Sequence, residues 1–415
     1  MASLRHSIVR RSSGVTVAFL LGHALNYVLM LGANRILGSG FGLFYTAVLG
    51  ITVLMAPISA LMLALTRFMA EVASRSGAPA VASLTTRLLT DLATRGAIAA
   101  AVIGVLFVPA GLLLRIEAWQ ILLLMPATVV ALIAAESIRI AFQSLLLFRW
   151  ASAVWVASQG AQFAFAIIGL LIGDGVWPGI FGIFLGAALV AALFSVWFRT
   201  RAGSETTVPA WPASLTRGQW PLVAGYSLFV ALNNADMVVA YLLLPRAALD
   251  VYAASALLPK AIITATTPIS QVTLPVIIER IAAQKPIRSS VGKAVLLVSL
   301  ASAVAAACLW VAIPYIQGTV FAIRGLDVGL TRILSGAAVA LSILRVLLIV
   351  EIAVSRCVLG LAQLAAIVLF VALLAGGADA GTIAVDYATI SCAFVLLAGT
   401  AQFGFFGMKY SQRSR

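Results

Sequence analysis

Two ionisable side chains lie inside long apolar segments in the second half of the chain. Asp236 falls within the apolar run 222–244, Lys260 falls within the run 251–278, and the short turn 245–250 joins the two runs. An unpaired charge in hydrocarbon costs about 2.5 to 3.5 kcal/mol on insertion scales, so such residues usually face a bundle interior or a watery cavity. The pair therefore predicts one of two arrangements. Either a salt bridge locks two helices together, or the residues form a polar lining in which Lys260 attracts an anion and Asp236 binds a coupling ion.

The two charges lie at similar depths along their predicted helices. At 1.5 Å of rise per residue, Lys260 lies roughly 15 Å from the turn and Asp236 lies roughly 10 to 12 Å from it. The hydrocarbon core of a bilayer is about 30 Å thick. Both side chains are thus placed near the middle of the membrane, where they can meet.

Polar side chains also occur within other apolar runs. Asn26 in the first run lies at roughly the depth of Asn233 in the seventh, so the two either face a cavity at the membrane midline or form hydrogen bonds within the core. Gln159 and Gln162 contribute to a polar stripe at near-helical spacing, which we expect to face water or substrate. Arg345 either snorkels towards the interface or lines a cavity.

The composition is that of a membrane protein with many spans. The chain has 415 residues, of which 63% are hydrophobic and 10% charged, and its mean hydropathy is +1.11. A soluble domain cannot bury so much apolar surface. About twelve apolar runs are long enough to cross a bilayer, the last two beginning near Cys357 and Thr382. We therefore predict an all-α polytopic fold of about twelve transmembrane helices.

The formal net charge of +14 does not indicate nucleic-acid binding, because the basic residues lie in short turns between apolar runs. Most of them fall on one side of the predicted membrane, which is the side of the N-terminus. This distribution follows the positive-inside rule and places both termini in the cytoplasm. The predicted location is the bacterial cytoplasmic (inner) membrane.

An internal repeat divides the chain into halves. A shift of about half the chain length places Asn26 on Asn233 and Tyr45 on Tyr252, each tyrosine following a short outer turn. We predict an N-terminal lobe at 1–200, a cytoplasmic linker at 201–219 and a C-terminal lobe at 220–415. Parallel repeats of this kind are a feature of transporters, in which the substrate route follows the interface between repeats.

No group of residues indicates an enzyme. The three cysteines all lie in apolar runs without ligand-like spacing, and we interpret them as small core residues. There is no cluster of histidine, cysteine and carboxylate residues with metal-binding spacing, and no set of nucleophile, base and acid. We expect neither a metal nor another cofactor.

Two hairpins resemble a known family. The segment 34–71, which contains the motifs Leu-Gly, Phe-Gly-Leu and Arg-Phe, is similar to the first hairpin of the polysaccharide transporter family. The segment 233–277, with Val-Tyr-Ala-Ala-Ser and Ile-Ser-Gln-Val-Thr-Leu-Pro, is similar to its seventh and eighth spans. That family belongs to the multidrug/oligosaccharidyl-lipid/polysaccharide (MOP) exporter superfamily. Together the two hairpins cover about a quarter of the chain.

The resemblance implies two pseudo-symmetric six-helix lobes around a central cavity. It also implies alternating access that moves a lipid-linked oligosaccharide from the cytoplasmic to the outer leaflet. Its undecaprenyl-type pyrophosphate headgroup is anionic, so Lys260 and Arg345 would attract it, while Asn26, Asn233, Gln159 and Gln162 would hydrogen-bond sugar hydroxyls. The energy would come from a gradient of H⁺ or Na⁺ or from product removal, since no ATP-binding motif is present.

Two other functions fit the same sequence. An ion-coupled multidrug-type exporter of small cationic compounds would use Asp236 as the counter-ion of its substrate. A non-transporting membrane subunit of a polysaccharide assembly machine would instead bind a polysaccharide polymerase or glycosyltransferases. In each case the chain contacts membrane lipids and no nucleic acid.

Overall fold

The computed structural model describes residues 2–113, 119–200, 220–282, 286–318, 326–353 and 379–411, together with 363, 366, 367 and 369. Every regular element that is described in these ranges is a helix. The first half contains α1 (Ala2–Leu37), α2 (Phe41–Asp91), α3 (Ala97–Leu113), α4 (Trp119–Ser144), α5 (Phe148–Ile172) and α6 (Trp177–Arg199). The second half contains α7 (Trp220–Leu243), α8 (Arg246–Ala282), α9 (Arg288–Gly318), α10 (Val328–Ala353) and α11 (Ala380–Ser411).

Within the described ranges, 11 helical segments are long and apolar enough to cross a membrane. The protein is therefore a multi-pass membrane protein, and the prediction of an all-α polytopic fold is confirmed. The span predicted to begin near Cys357 lies outside the described residues.

The chain divides into two compact units. The first contains Met1–Gly40 and Ala47–Gln219, and the second contains Phe41–Thr46 and Trp220–Arg415. The short segment at the start of α2 thus packs with the second unit. The lobes at 1–200 and 220–415 stay a prediction, and the predicted linker 201–219 lies outside the described residues.

In the first unit, α5 and α6 approach closely through glycine. A Cβ atom added to Gly182 would lie 2.2 Å from the backbone oxygen of Phe165, and one added to Gly186 would lie 2.5 Å from the backbone nitrogen of Gln162. These two glycines are four residues apart and share one face of α6. Such small residues allow membrane helices to pack backbone against backbone.

A break in α2 separates its membrane-spanning part from a short amphipathic helix. Gly77 has φ +75° and lies at the kink, in a conformation that suits glycine. Beyond it Val81 and Leu84 are buried in the core of the first unit, whereas Arg87 is exposed. A short helix is predicted at 79–95, either on the membrane surface or as a solvated connector. The helix is present. Its apolar face packs against the core of the first unit, which lies beneath it.

In the second unit, α10 is the central helix. It contacts α7, α8, α9 and α11, and its segment Val328–Glu351 is the most buried of the candidate spans. Asp327 caps its N-terminus, since Oδ1 accepts a hydrogen bond of 2.8 Å from the backbone nitrogen of Leu330. Ser335 and Ser342 donate to backbone oxygens of the same helix, so their hydroxyls are satisfied without water.

Candidate functional site

The ammonium group of Lys260 on α8 lies among three oxygen atoms of α7. Its Nζ donates hydrogen bonds to the backbone oxygen of Asn233 (3.0 Å), to Oδ1 of Asn234 (3.3 Å) and to Oδ1 of Asp236 (3.0 Å). The side chains of Lys260 and Asp236 are only 12% and 1% exposed. The two residues therefore form a buried ion pair between neighbouring helices, and their role in binding a substrate or a coupling ion stays a prediction.

Neighbouring side chains hold this cluster in position. The hydroxyl of Tyr252 donates to Oδ2 of Asp236 at 3.4 Å, so both carboxylate oxygens have a donor. The amide nitrogen of Asn234 donates to the backbone oxygen of Val230 at 2.8 Å, which directs Oδ1 of the same amide towards Lys260. Asn234, Asp236 and Tyr252 are fully or almost fully buried.

A small cavity adjoins the ammonium group. Its volume is about 10 Å³, so it is about large enough for one water molecule. Asn233, Asp236, Lys260 and Tyr387 form its polar lining, and six apolar residues complete the wall: Ala256, Pro259, Ile263, Leu334, Ala338 and Leu341. Oδ1 of Asn233 is buried and has no hydrogen-bond partner among the described residues.

Arg345 lies on α10 and is partly buried. Its NH1 donates a hydrogen bond of 2.6 Å to Oγ1 of Thr267 on α8. The Thr267 hydroxyl itself donates to the backbone oxygen of Ile263 at 3.1 Å, so a lone pair remains for the guanidinium. None of the ion pairs among the described residues includes Arg345. Lys260, in contrast, is paired with Asp236.

The remaining predicted site residues lie in the first unit. Asn26 is partly exposed on α1. Gln159 is partly exposed and lies beside Gly22 of α1, where an added Cβ would be 3.1 Å from its Cγ. Gln162 is buried, and its amide nitrogen donates to Oγ of Ser158 at 2.8 Å. Their role in substrate binding stays a prediction.

A second ion pair lies in the first unit, on α4. Arg139 donates through Nε to Glu136 at 2.8 Å and also contacts the second carboxylate oxygen through NH2. It donates further to Gln143 at 3.0 Å, and its guanidinium carbon lies 5.8 Å from the ring centre of Trp155 on α5. The spacing of three residues predicts this pairing, and the prediction is confirmed.

A hydrogen bond fixes the start of α2 within the second unit. The backbone nitrogen of Gly42 donates to Oδ1 of Asp250 at 2.7 Å. A Cβ atom on Gly42 would lie 2.7 Å from Cγ of Leu249 and 2.9 Å from that carboxylate oxygen. Glycine is therefore needed for this close approach of α2 to α8.

Four residues have a clear structural role that the sequence predictions do not include: Asn234, Tyr252, Thr267 and Asp250. The role of Asn234 has a signal in the sequence, because the Asn233–Asn234 pair lies about one helical turn before Asp236. Amides and carboxylates both accept hydrogen bonds from an ammonium group. Nothing in the sequence pairs Thr267 with Arg345. In the ranges described above, no three residues of the types His, Cys, Asp or Glu are grouped so that they could hold a metal.

Comparison with solved structures gives the same fold over nearly the whole chain. The eukaryotic MATE transporter AtDTX14 has a TM-score of 0.62 at 15% identity, covering 95% of this chain and 96% of that one. The chain has the fold of a MOP superfamily transporter. A multidrug resistance MATE family transporter of that superfamily, in an outward-facing conformation, has a TM-score of 0.63 at 12% identity, with 97% and 96% covered. A MOP superfamily transporter from Pyrococcus furiosus has a TM-score of 0.62 at 13% identity, with 98% and 96% covered.

No protein-family profile matches the sequence, and comparison with curated proteins finds no match. At these low identities the structural similarity establishes the fold alone. It agrees with the superfamily that the two hairpins indicate. The narrower assignment to the polysaccharide transporter family stays a prediction.

Proposed function

We propose that the protein is an alternating-access transporter that moves an anionic lipid-linked oligosaccharide across the cytoplasmic membrane. The fold of the MOP transporters supports the transport part of this proposal. The resemblance of the two hairpins to polysaccharide transporters supports the class of substrate. The proposed orientation, with both termini in the cytoplasm, rests on the distribution of basic residues.

One observation supports the assignment of an anionic substrate: the balance of charges among Asp236, Lys260 and Arg345 in the second unit. The carboxylate of Asp236 is neutralised by Lys260, whereas Arg345 has only a hydroxyl partner among the described residues. A partly buried guanidinium without a carboxylate partner binds phosphate well, because its planar fork matches two phosphate oxygens. The guanidinium of Arg345 thus offers a pyrophosphate headgroup a positive charge that belongs to none of the ion pairs among the described residues.

The same balance argues against an exporter of small cations. That function requires Asp236 as the counter-ion of the substrate, and both of its oxygens already have donors in Lys260 and Tyr252. The fold itself accommodates pockets of different charge, since the Pyrococcus furiosus transporter is described as having a binding pocket of reverse polarity that suggests a different function.

In this proposal the amides of the first unit contact the sugar. Asn26 and Gln159 are partly exposed and would hydrogen-bond hydroxyl groups of the oligosaccharide, with Gln162 as a further candidate there and Asn233 on α7 as a candidate in the second unit. The polyprenyl tail stays in the bilayer. A polysaccharide polymerase or a glycosyltransferase would act on the same lipid-linked precursor before or after translocation.

The proposal is tested by substitution of Arg345 in proteoliposomes. Loss of a charge-assisted hydrogen bond costs about 1.5 to 3 kcal/mol, so Arg345→Gln should slow translocation of a labelled polyprenyl-pyrophosphate oligosaccharide roughly ten- to a hundredfold. The matched control is Arg332→Gln, because Arg332 lies on the same helix and is exposed. Equal translocation by both variants, at equal reconstituted amounts, would overturn the role of Arg345. A protein that moves no glycolipid but copurifies with a glycosyltransferase would favour the assembly subunit.

A further inference from the structure

The surroundings of the Lys260 ammonium group are those of a cation site. A backbone carbonyl, an amide oxygen and one carboxylate oxygen converge on Nζ at 3.0 to 3.3 Å. Proteins bind hard cations with oxygen ligands of these three kinds. The single carboxylate balances one positive charge, so the set suits a monovalent cation.

A fourth oxygen is present and unused. Oδ1 of Asn233 is buried without a hydrogen-bond partner among the described residues, and Asn233 lines the cavity of about 10 Å³ beside the ammonium. A buried acceptor without a donor is unfavourable. This orphaned oxygen indicates that the cluster offers more cation-binding capacity than the lysine alone uses.

We propose that this cluster is a monovalent-cation site in which Lys260 serves as the resident, covalently attached cation. Its ligands are the backbone oxygen of Asn233, Oδ1 of Asn234 and Oδ1 of Asp236, and the side chain of Asn233 lines the adjoining cavity. Because the ammonium group is tethered to α8, it occupies the site at all salt concentrations and excludes sodium. Removal of the ammonium should convert the site into one that binds sodium from solution.

The cluster lies in the second unit, and its occupation by the ammonium group does not depend on the transported substrate. The cluster therefore contributes no sodium dependence to the wild-type protein. If the protein is ion-coupled, its coupling ion binds elsewhere or is a proton.

The test measures thermal unfolding of the purified full-length protein in detergent, followed by tryptophan fluorescence. Wild type, Lys260→Ala and the double variant Lys260→Ala/Asp236→Asn are each compared in sodium chloride and in N-methylglucamine chloride of equal ionic strength. We expect wild type to be indifferent to sodium. Lys260→Ala should gain roughly 3 °C when sodium is a hundredfold above its dissociation constant, and the double variant should lose that gain. Lys293→Ala, at an exposed position on α9, is the control for removal of a lysine.

Two safeguards keep the test decisive if Lys260→Ala is too unstable to purify without sodium. Its yield after extraction in sodium chloride, relative to extraction in N-methylglucamine chloride, then provides the readout. Lys260→Met, which retains the apolar stem, is measured in the same salts. The proposal is overturned if neither variant responds to sodium, or if wild type responds as strongly as Lys260→Ala does.

Discussion

The ion pair between Asp236 and Lys260 can be tested by a double-mutant cycle. Asp236→Leu leaves the ammonium group, which is 12% exposed, without a negative partner, and breaking a buried pair in this way costs about 3 to 5 kcal/mol. Lys260→Met leaves a carboxylate that is 1% exposed with only Tyr252 as donor, so a penalty of similar size is expected. The combined Asp236→Leu/Lys260→Met removes both charges, and apolar replacements of buried pairs are often neutral.

The free energy of unfolding would be measured by titration with dodecyl sulfate in a mild detergent. The dodecyl sulfate is added as its Tris salt, and the buffer contains no sodium, so that sodium cannot replace the missing ammonium group. We expect the double variant to recover at least about 2 kcal/mol of the summed penalties, as is found for groups in direct contact. Additive penalties, or single variants that each cost less than about 1 kcal/mol, would refute a mutually dependent buried pair.

Three further predictions concern helix packing and helix ends. Gly182→Leu should prevent close packing of α5 on α6 and lower the yield of folded protein in gel filtration, whereas Gly160→Ala, where a Cβ meets nothing within 4 Å, should leave it unchanged. Asp250→Ala removes a charge-assisted hydrogen bond to the backbone of Gly42 and should cost about 1.5 to 3 kcal/mol of stability; faster hydrogen exchange confined to the start of α2 would show that this bond fastens it. The carboxylate of Asp379 accepts hydrogen bonds at the start of α11, chiefly from the backbone nitrogen of Thr382. These hydrogen bonds hold the pKa of Asp379 below the ordinary 3.8. A lowered folded-state pKa means that the stabilisation is present at neutral pH and is lost as the pH falls through that pKa, so Asp379→Asn should abolish any acid-dependent fraying of α11 that amide exchange detects in wild type.

The helical spans and the common depth of Asp236 and Lys260 follow from the sequence because they depend on short-range quantities, whereas the sequence leaves open whether the two residues pair. Length and hydropathy identify the spans, and the rise per residue places Asp236 and Lys260 at one depth on adjacent helices. The pairing of Glu136 with Arg139 is predictable for the same reason, since residues three apart share a helix face.

Contacts between helices distant in the chain are not predictable in this way. Each residue turns a helix by 100°, so the direction of a side chain depends on how neighbours rotate each helix, and the contact of Thr267 with Arg345 spans 78 residues. The apolar face after Gly77 indicates amphipathic structure, yet only the fold decides whether it meets lipid or protein. The spacing of Gly182 and Gly186 is a signal for close packing that the sequence does contain.

The central claim is that this protein transports an anionic, lipid-linked headgroup. The most direct measurement is a flux comparison in proteoliposomes containing only wild-type protein, with a labelled polyprenyl-pyrophosphate oligosaccharide and a fluorescent cationic dye measured under the same ion gradient. The account predicts that the pyrophosphate-linked oligosaccharide changes leaflet well above the protein-free rate while the dye does not move. Movement of the dye without movement of the oligosaccharide would contradict it.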